Sequence, residues 1–251
     1  MTGRLQSKVV IVTGGATGIG RAVAGRVVAD GGAVVIAGRR EDAGEQAAAE
    51  LRKGGGQALF AATDVTVERE AERLVEVAVA EFGRLDGAVN NAGGVNAMGP
   101  VHTVDSEAWH TELEHNLTSV FYCLKFQIPA MSDGGSIINN ASIGGMRGIP
   151  GLGAYVAAKH GVVGLTRSAA LEGAARGVRV NALVTGNVDT PLYRNLIGAP
   201  PEGELSGPAP NPTGRVSSPD EIASFVAYLL SDEAAFITGA ALAIDGGATA
   251  Q

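Results

Sequence analysis

The stretch Lys8-Val9-Val10-Ile11-Val12-Thr13-Gly14-Gly15-Ala16-Thr17-Gly18-Ile19-Gly20 decides the fold. Val9 to Thr13 are all β-branched, a run that suits a parallel strand buried on both faces. It meets glycines at once. Ile19 to Ala29 then has helical composition, and Gly31-Gly32 stops it. A second strand follows at Ala33 to Ala37, so the chain opens with strand, glycine loop, helix and strand. The glycine spacing is not G-x-G-x-x-G; the position of the loop inside this unit carries the reading. Glycines there let the backbone approach a pyrophosphate, and the helix start offers free N–H groups and the positive end of its dipole. Gly14, Thr17, Gly18, Ile19 and Gly20 are the expected anion cradle.

The alternation continues outward from this unit. Helices are expected at Glu41 to Lys53, Val67 to Phe82, Tyr155 to Ala175 and Asp220 to Leu230. Strands are expected at Gln57 to Ala62, Leu85 to Val89, Ser136 to Ala141, Val178 to Val184 and Ala241 to Ile244. Asp105 to Met131 reads as one long or two broken helices, capped by Asp105 and closed by Asp133-Gly134-Gly135. Strand and helix in turn predict an α/β fold: a Rossmann-type doubly wound parallel sheet of about seven strands, with helices on both faces. No linker or composition break divides the chain, so residues 1–251 are read as a single domain.

Composition agrees. At 251 residues, 45% hydrophobic and 18% charged, the chain can bury a substantial core without disulfides. The net charge is −7 and no Lys/Arg block stands out, which argues against nucleic acid or an anionic membrane as partner. Cys123 is the only cysteine, sits among Val120, Phe121 and Leu124, and reads as a buried packing residue. His102, His110, His115 and His160 show no ligand spacing, so no metal is expected. Met1 to Ser7 lacks a secretory pattern and no apolar run approaches ~20 residues, so a cytoplasmic location is the expectation.

Two further places carry chemistry. Ser142 stands at the end of the Gly135–Ala141 run, and Tyr155 and Lys159 lie four apart on the next helix, sharing one face. A hydroxyl, a phenol and an ammonium meeting there can move a proton to or from an oxygen. The second strand ends in Gly38-Arg39-Arg40, with no acid to accept from ribose hydroxyls. A 2′-phosphate suits Arg39, which binds such groups bidentately, so NADP(H) is the preferred cofactor and NAD(H) possible. Alternatively the two arginines pair with Glu41 or Asp42 and leave the preference mixed.

Taken together these motifs resemble the short-chain dehydrogenase/reductase family over nearly the whole length. Thr13-Gly14-Gly15-Ala16-Thr17-Gly18-Ile19-Gly20 is similar to its T-G-x-x-x-G-x-G loop, and Asn90-Asn91-Ala92-Gly93 to its N-N-A-G motif. Asp64-Val65 resembles the dipeptide whose Asp contacts adenine. The resemblance implies a catalytic tetrad of Asn116, Ser142, Tyr155 and Lys159, in which Asn116 holds a water that relays protons from Lys159. It also implies cofactor contacts by Asn91, Ala92, Gly93, Gly186, Val188 and Thr190, besides Tyr155 and Lys159. One departure stands out: Thr185 occupies the place of a proline before Gly186, which frees a φ angle and is expected to loosen the turn.

The expected activity is interconversion of a ketone or aldehyde and a secondary alcohol by hydride transfer, with Tyr155 as acid or base and Lys159 favouring its phenolate. Ser142 would donate to the substrate oxygen as charge develops there. A small, largely apolar carbonyl or alcohol is expected against Gly144, Met146, Ile149, Leu152, Leu192, Tyr193 and Leu196. Arg147 fits either a rim charge or a partner for an oxygen-rich group. Six prolines between Pro191 and Pro212 break the rhythm. Thr190-Pro191 can start a short helix, and residues 191–215 fit a substrate lid or a surface insertion. The small and apolar residues of the Tyr155 helix suit self-association, and the resemblance implies a homotetramer or homodimer. A catalytically silent, NADP-binding regulatory protein is the alternative function.

Overall fold

The computed structural model describes residues 3–131, 134–203, 205 and 209–250. Strands β1 (Val9–Thr13), β2 (Ala33–Gly38), β3 (Gln57–Ala62), β4 (Gly87–Asn90), β5 (Gly135–Asn140), β6 (Val178–Thr185) and β7 (Ala241–Ile244) form one sheet. All pairings are parallel, and the order is β3-β2-β1-β4-β5-β6-β7. This is the doubly wound fold that the alternation predicts.

Side-chain alternation assigns the two faces. Val10, Val12, Val34 and Ile36 point to one layer, where α1 (Gly18–Ala29), α2 (Glu41–Lys53) and α8 (Pro219–Leu230) pack. Ile11, Val35 and Ala37 point to the other, with α3 (Glu68–Phe82), α5 (Ser119–Ala130) and α6 (Gly153–Gly173). Burying one such Val, Ile or Leu contributes about 1.5–3 kcal/mol. That is why β1 is β-branched throughout rather than alternately polar.

The chain winds outward from β1 to β3, then returns past β1 to β4. Beyond the carboxyl ends of β1 and β4 the two directions of winding part and leave a crevice. The glycine loop and the Asn90–Gly93 loop both emerge there.

The 105–131 region is one rod with a local defect. Asp105 caps α4 (Ser106–Leu113) by accepting from Ala108 N at 2.8 Å, as expected. A π-helical turn, Glu114–Thr118, then leads into α5. Its extra residue rotates the face that follows, and Asn116 lies within it. Asp133, expected to help close this rod, lies outside the described residues.

Thr190 caps α7 (Pro191–Leu196) by accepting from Tyr193 N at 3.2 Å, with Pro191 at the first position. Beyond α7 the buried Arg194 holds the irregular segment. Its guanidinium pairs with both oxygens of Asp189, at 2.5 and 2.7 Å, and donates to the Pro200 and Gly203 carbonyls, each at 2.8 Å. Residues 204 and 206–208 of the expected 191–215 lid lie outside the described residues.

Candidate active site

Gly14 adopts φ 63° and Gly18 φ 53°, conformations open to glycine. Gly20 answers a different need: a Cβ there would lie 2.3 Å from the Gly14 carbonyl oxygen, so only glycine lets α1 sit so close to its own loop. Thr17 precedes α1 without a side-chain cap, and no acid stands in the first turn. The N–H groups of that turn therefore face the crevice with the positive end of the dipole, the arrangement an anion requires. Thr13 locks the neighbouring loop, its hydroxyl accepting from Asn91 N and Ala92 N at 3.0 Å each.

These loops enclose a cleft of about 470 Å³. Of the expected cradle, Gly14, Thr17, Gly18 and Ile19 line it, and Gly20 supports it from beneath. Arg39, Arg40, Asp64 and Val65 line one end, Asn91, Ala92 and Gly93 the floor, and Asn116, Tyr155, Lys159 and Thr190 the other end. Arg39 and Arg40 do not pair with Glu41 or Asp42 among the described contacts. Arg39 lies 3.9 Å from Asp64, and Arg40 donates to the Thr17 hydroxyl at 3.3 Å. Burial alone would raise the Asp64 pKa, but hydrogen bonds from Thr66 and the Arg39 charge hold it below the ordinary value. One end of the cleft is thus cationic at the surface and anionic beneath. A nicotinamide dinucleotide fits the whole, with its pyrophosphate at the start of α1.

Val188 and Gly186 are placed differently from one another. Val188 bridges Ser217, with Asn187 O accepting from Ser217 N at 3.0 Å and Asp189 N donating to Ser217 O at 2.9 Å. That ladder directs the N–H and C=O of Val188 to the opposite side. Gly186 packs on Asp245, where a Cβ would meet the backbone at 2.7 Å.

At the far end of the cleft, Ser142 holds φ 60°, a left-handed value costly for a residue with a Cβ. Such strain, of about 1–3 kcal/mol, persists where the surroundings enforce it. The hydroxyl accepts from Gly144 N at 3.3 Å and stands close enough to Tyr155 to favour its phenolate. Lys159 is buried; its Nζ donates to the Asn140 carbonyl at 2.9 Å and stands 5.5 Å from the Tyr155 ring centroid. Burial pushes the Lys159 pKa down to about 8, against the upward pull of the Glu112 charge.

The ammonium does not set the tyrosine as the sequence suggests. Burial pushes the Tyr155 phenol above its ordinary value, the Ser142 hydroxyl acts downward, and Glu112 acts upward. Desolvation of the phenolate outweighs a cation that lies beside the ring and bonds elsewhere.

Sequence reasoning missed three partners. Asn140 accepts from Lys159 through its backbone, accepts from the Thr185 hydroxyl at 3.1 Å and donates to Asn91 Oδ1 at 3.1 Å. Thr185 continues β6, in register with Ile244, rather than loosening the turn. Glu112, fully buried, accepts from Asn116 Nδ2 at 2.7 Å, and the Asn116 amide also exchanges hydrogen bonds with the Gly94 backbone. The spacing of Glu112 and Asn116, one helical turn apart, is the only local signal for that contact.

The expected substrate residues divide. Gly144 lies against Tyr155, where a Cβ would be 3.2 Å from the ring and 3.6 Å from Ile149. Leu152 bridges Gly99, tying the two pocket loops together. Leu192 lines the cleft, and burial raises the Tyr193 phenol. Met146, Leu192 and Leu196 are exposed at the rim. Arg147 donates to the Ala248 carbonyl at 2.6 Å and so ties this rim to the C-terminal turn.

Comparison with known proteins agrees with this geometry. Residues 14–249 match the family model described as enoyl-(acyl carrier protein) reductase. The chain is 43% identical over 249 residues to 2,5-dichloro-2,5-cyclohexadiene-1,4-diol dehydrogenase of Sphingobium indicum, covering 98% of each. It is 44% identical over 245 residues to cis-4-hydroxycyclohexanecarboxylate dehydrogenase of Sinomonas cyclohexanicum, covering 97% of each. The crystal structure of carveol dehydrogenase from Mycobacterium avium in complex with NAD superposes with a TM-score of 0.90 at 28% identity, covering 100% of each chain. The chain belongs to the short-chain dehydrogenase/reductase family. It is an oxidoreductase of the type that works between alcohol and carbonyl groups.

Proposed function

We propose that the protein interconverts a secondary alcohol on a largely apolar ring and the matching ketone, preferring NADP(H) and accepting NAD(H). One observation carries the reading: Tyr155 and Lys159 line the same cleft as the glycine loop and Arg39, and Ser142 stands beside Tyr155. Names of similar proteins support the ring. The diol dehydrogenase and the hydroxycyclohexanecarboxylate dehydrogenase both point to cyclic alcohols. Exposed Arg39, beside a strand end without an acid, supports the phosphate-bearing cofactor.

A nicotinamide cofactor held in the cleft would supply the hydride acceptor for oxidation and the donor for reduction. Tyr155 takes the alcohol proton as the carbinol becomes a carbonyl, and returns it in the reverse direction. Ser142 donates to the same oxygen while it carries partial charge. Lys159, pinned by Asn140, keeps a positive charge next to the phenol ring. Asn116 fixes the loop at Gly94, and the water relay through it remains part of this proposal. Residues 191–215 act as the lid, hinged on α7 and fastened by Arg194. Self-association as a homotetramer or homodimer covers the outer face of α6, where Leu171 is 82% exposed. A cytoplasmic location suits such a protein; among the described residues no helix is long and apolar enough to cross a membrane.

A silent cofactor-binding protein would have no use for the strained Ser142. The test is turnover of cyclohexanol, cyclopentanol and their ketones with each cofactor. Measurable oxidation or reduction supports the proposal. Tight cofactor binding with no turnover of any of them supports the silent alternative.

A further inference from the structure

Glu112 is the buried carboxylate that the proposed reaction does not use. It is 0% exposed, on the last turn of α4, beneath the loop that follows the Asn90–Gly93 motif. One oxygen accepts from Asn96 N at 2.6 Å and from Ala97 N at 2.7 Å. The other accepts from Asn116 Nδ2 at 2.7 Å. Every partner donates, so both oxygens act as acceptors. An isolated carboxylate is costly to bury, and these three bonds satisfy it only in part.

The rest of its environment explains the charge. Facing Glu112 are the backbone amides of the 94–97 loop, the Asn116 amide and, on the packed helix α6, the ionisable groups Tyr155 and Lys159. Its negative charge acts on both of them. Lys159 is itself buried, and among the described contacts its Nζ donates to a neutral carbonyl, not to an acid. Glu112 is thus a counter-charge set back from the reacting atoms, joined to the loop that forms one wall of the pocket.

We propose that Glu112 is a positioning residue for the reaction: it fixes the Asn96–Ala97 edge of the pocket and the Asn116 amide, and balances the buried ammonium of Lys159. It holds the pocket loop by two hydrogen bonds and the Asn116 side chain by a third. The inference rests on the reading of Tyr155 and Lys159 given above.

Glu112→Gln tests it. The glutamine oxygen can still accept from Asn96 and Ala97, but its NH2 then meets the Asn116 NH2, donor against donor. Loss of a hydrogen bond to a charged group corresponds to about 10- to 100-fold in kcat/KM for ketone reduction. A purely structural defect also lowers the rate, so the deciding readout is the pH profile. Without the negative charge Lys159 loses its proton sooner and Tyr155 ionises sooner. The falling alkaline limb of ketone reduction moves to lower pH. Glu112→Asp keeps the charge, retracts it by one methylene, and moves the limb the same way by less. Should Glu112→Gln not fold, this second variant decides alone. A limb at the wild-type position in the folded variants overturns the proposal, whatever the rate. Tyr155→Phe is run alongside: full activity there removes the reading of Tyr155 itself, whereas an inactive Tyr155→Phe with an unmoved Glu112→Gln limb removes only the role of Glu112.

Discussion

The Thr185 hydroxyl donates to the side-chain carbonyl of Asn140 at 3.1 Å, and the backbone carbonyl of that same Asn140 receives Lys159 Nζ at 2.9 Å. The residue that breaks the family's proline pattern is therefore two hydrogen bonds away from the ammonium, through Asn140. A proline there would lack both the hydroxyl and an N–H. Thr185 makes the end of β6 a side-chain clasp on the end of β5.

Thr185→Val removes the clasp at nearly constant volume. The expected loss is about 1 kcal/mol of positioning, a fall of roughly fivefold in kcat/KM. Thr185→Ser keeps the hydroxyl and should retain most of the activity. Steady-state kinetics of the two variants side by side check this; equal losses would mean that the methyl group matters and the hydrogen bond does not.

The pH dependence of ketone reduction follows from burial. Tyr155 must be protonated to act as acid, and burial raises its pKa, so it stays protonated well above neutrality. Lys159 has the opposite shift, its pKa lowered to about 8, so its charge is present below that pH and lost above it. Reduction should be level near neutrality and fall as pH rises through about 8. Initial rates from about pH 6 to about pH 10 measure this. A level rate across that whole range would contradict the assignment.

The proposed cofactor preference rests on Arg39. Its guanidinium is 66% exposed and 3.9 Å from Asp64, so it is held loosely and can turn to a ribose phosphate. Arg39→Ala should raise the KM for NADP(H) by about tenfold or more, the scale of one charge-assisted hydrogen bond. The KM for NAD(H) should change little. Equal losses for both cofactors would end the phosphate-binding role.

The proposed lid makes a separate prediction. Arg194→Met removes the bonds to Asp189, Pro200 and Gly203 together while keeping an apolar stem. The variant should show raised KM for the alcohol, faster proteolysis within residues 191–215, and little change in cofactor affinity. Unchanged KM and unchanged proteolysis would reassign this stretch to a surface insertion.

Local signals explain how much of this was legible. β3, β7 and α2 fall where the short apolar runs, the Ala/Glu-rich run and the glycine stops place them. The glycine loop, Tyr155 and Lys159 are legible because their partners lie within one turn or one loop. The Ser142 backbone is not, since neither adjacent residue, Ala141 or Ile143, announces a φ of 60°. Asn140 and Arg194 look like ordinary polar residues until β6 and the 200–203 segment are folded against them. The π turn around Asn116 also lacks a proline or glycine to announce it. The tyrosine's environment was misjudged for a related reason: helical spacing gives a cation's proximity but not how much water the pocket removes.

Tyr155→Phe bears most directly on the whole account. Single-site binding of NADP(H), followed by fluorescence, should remain near wild type, while turnover of cyclohexanol and cyclohexanone should fall by about 10²- to 10⁴-fold, the share of a positioned acid or base. Turnover close to wild type, with cofactor still bound, would contradict it.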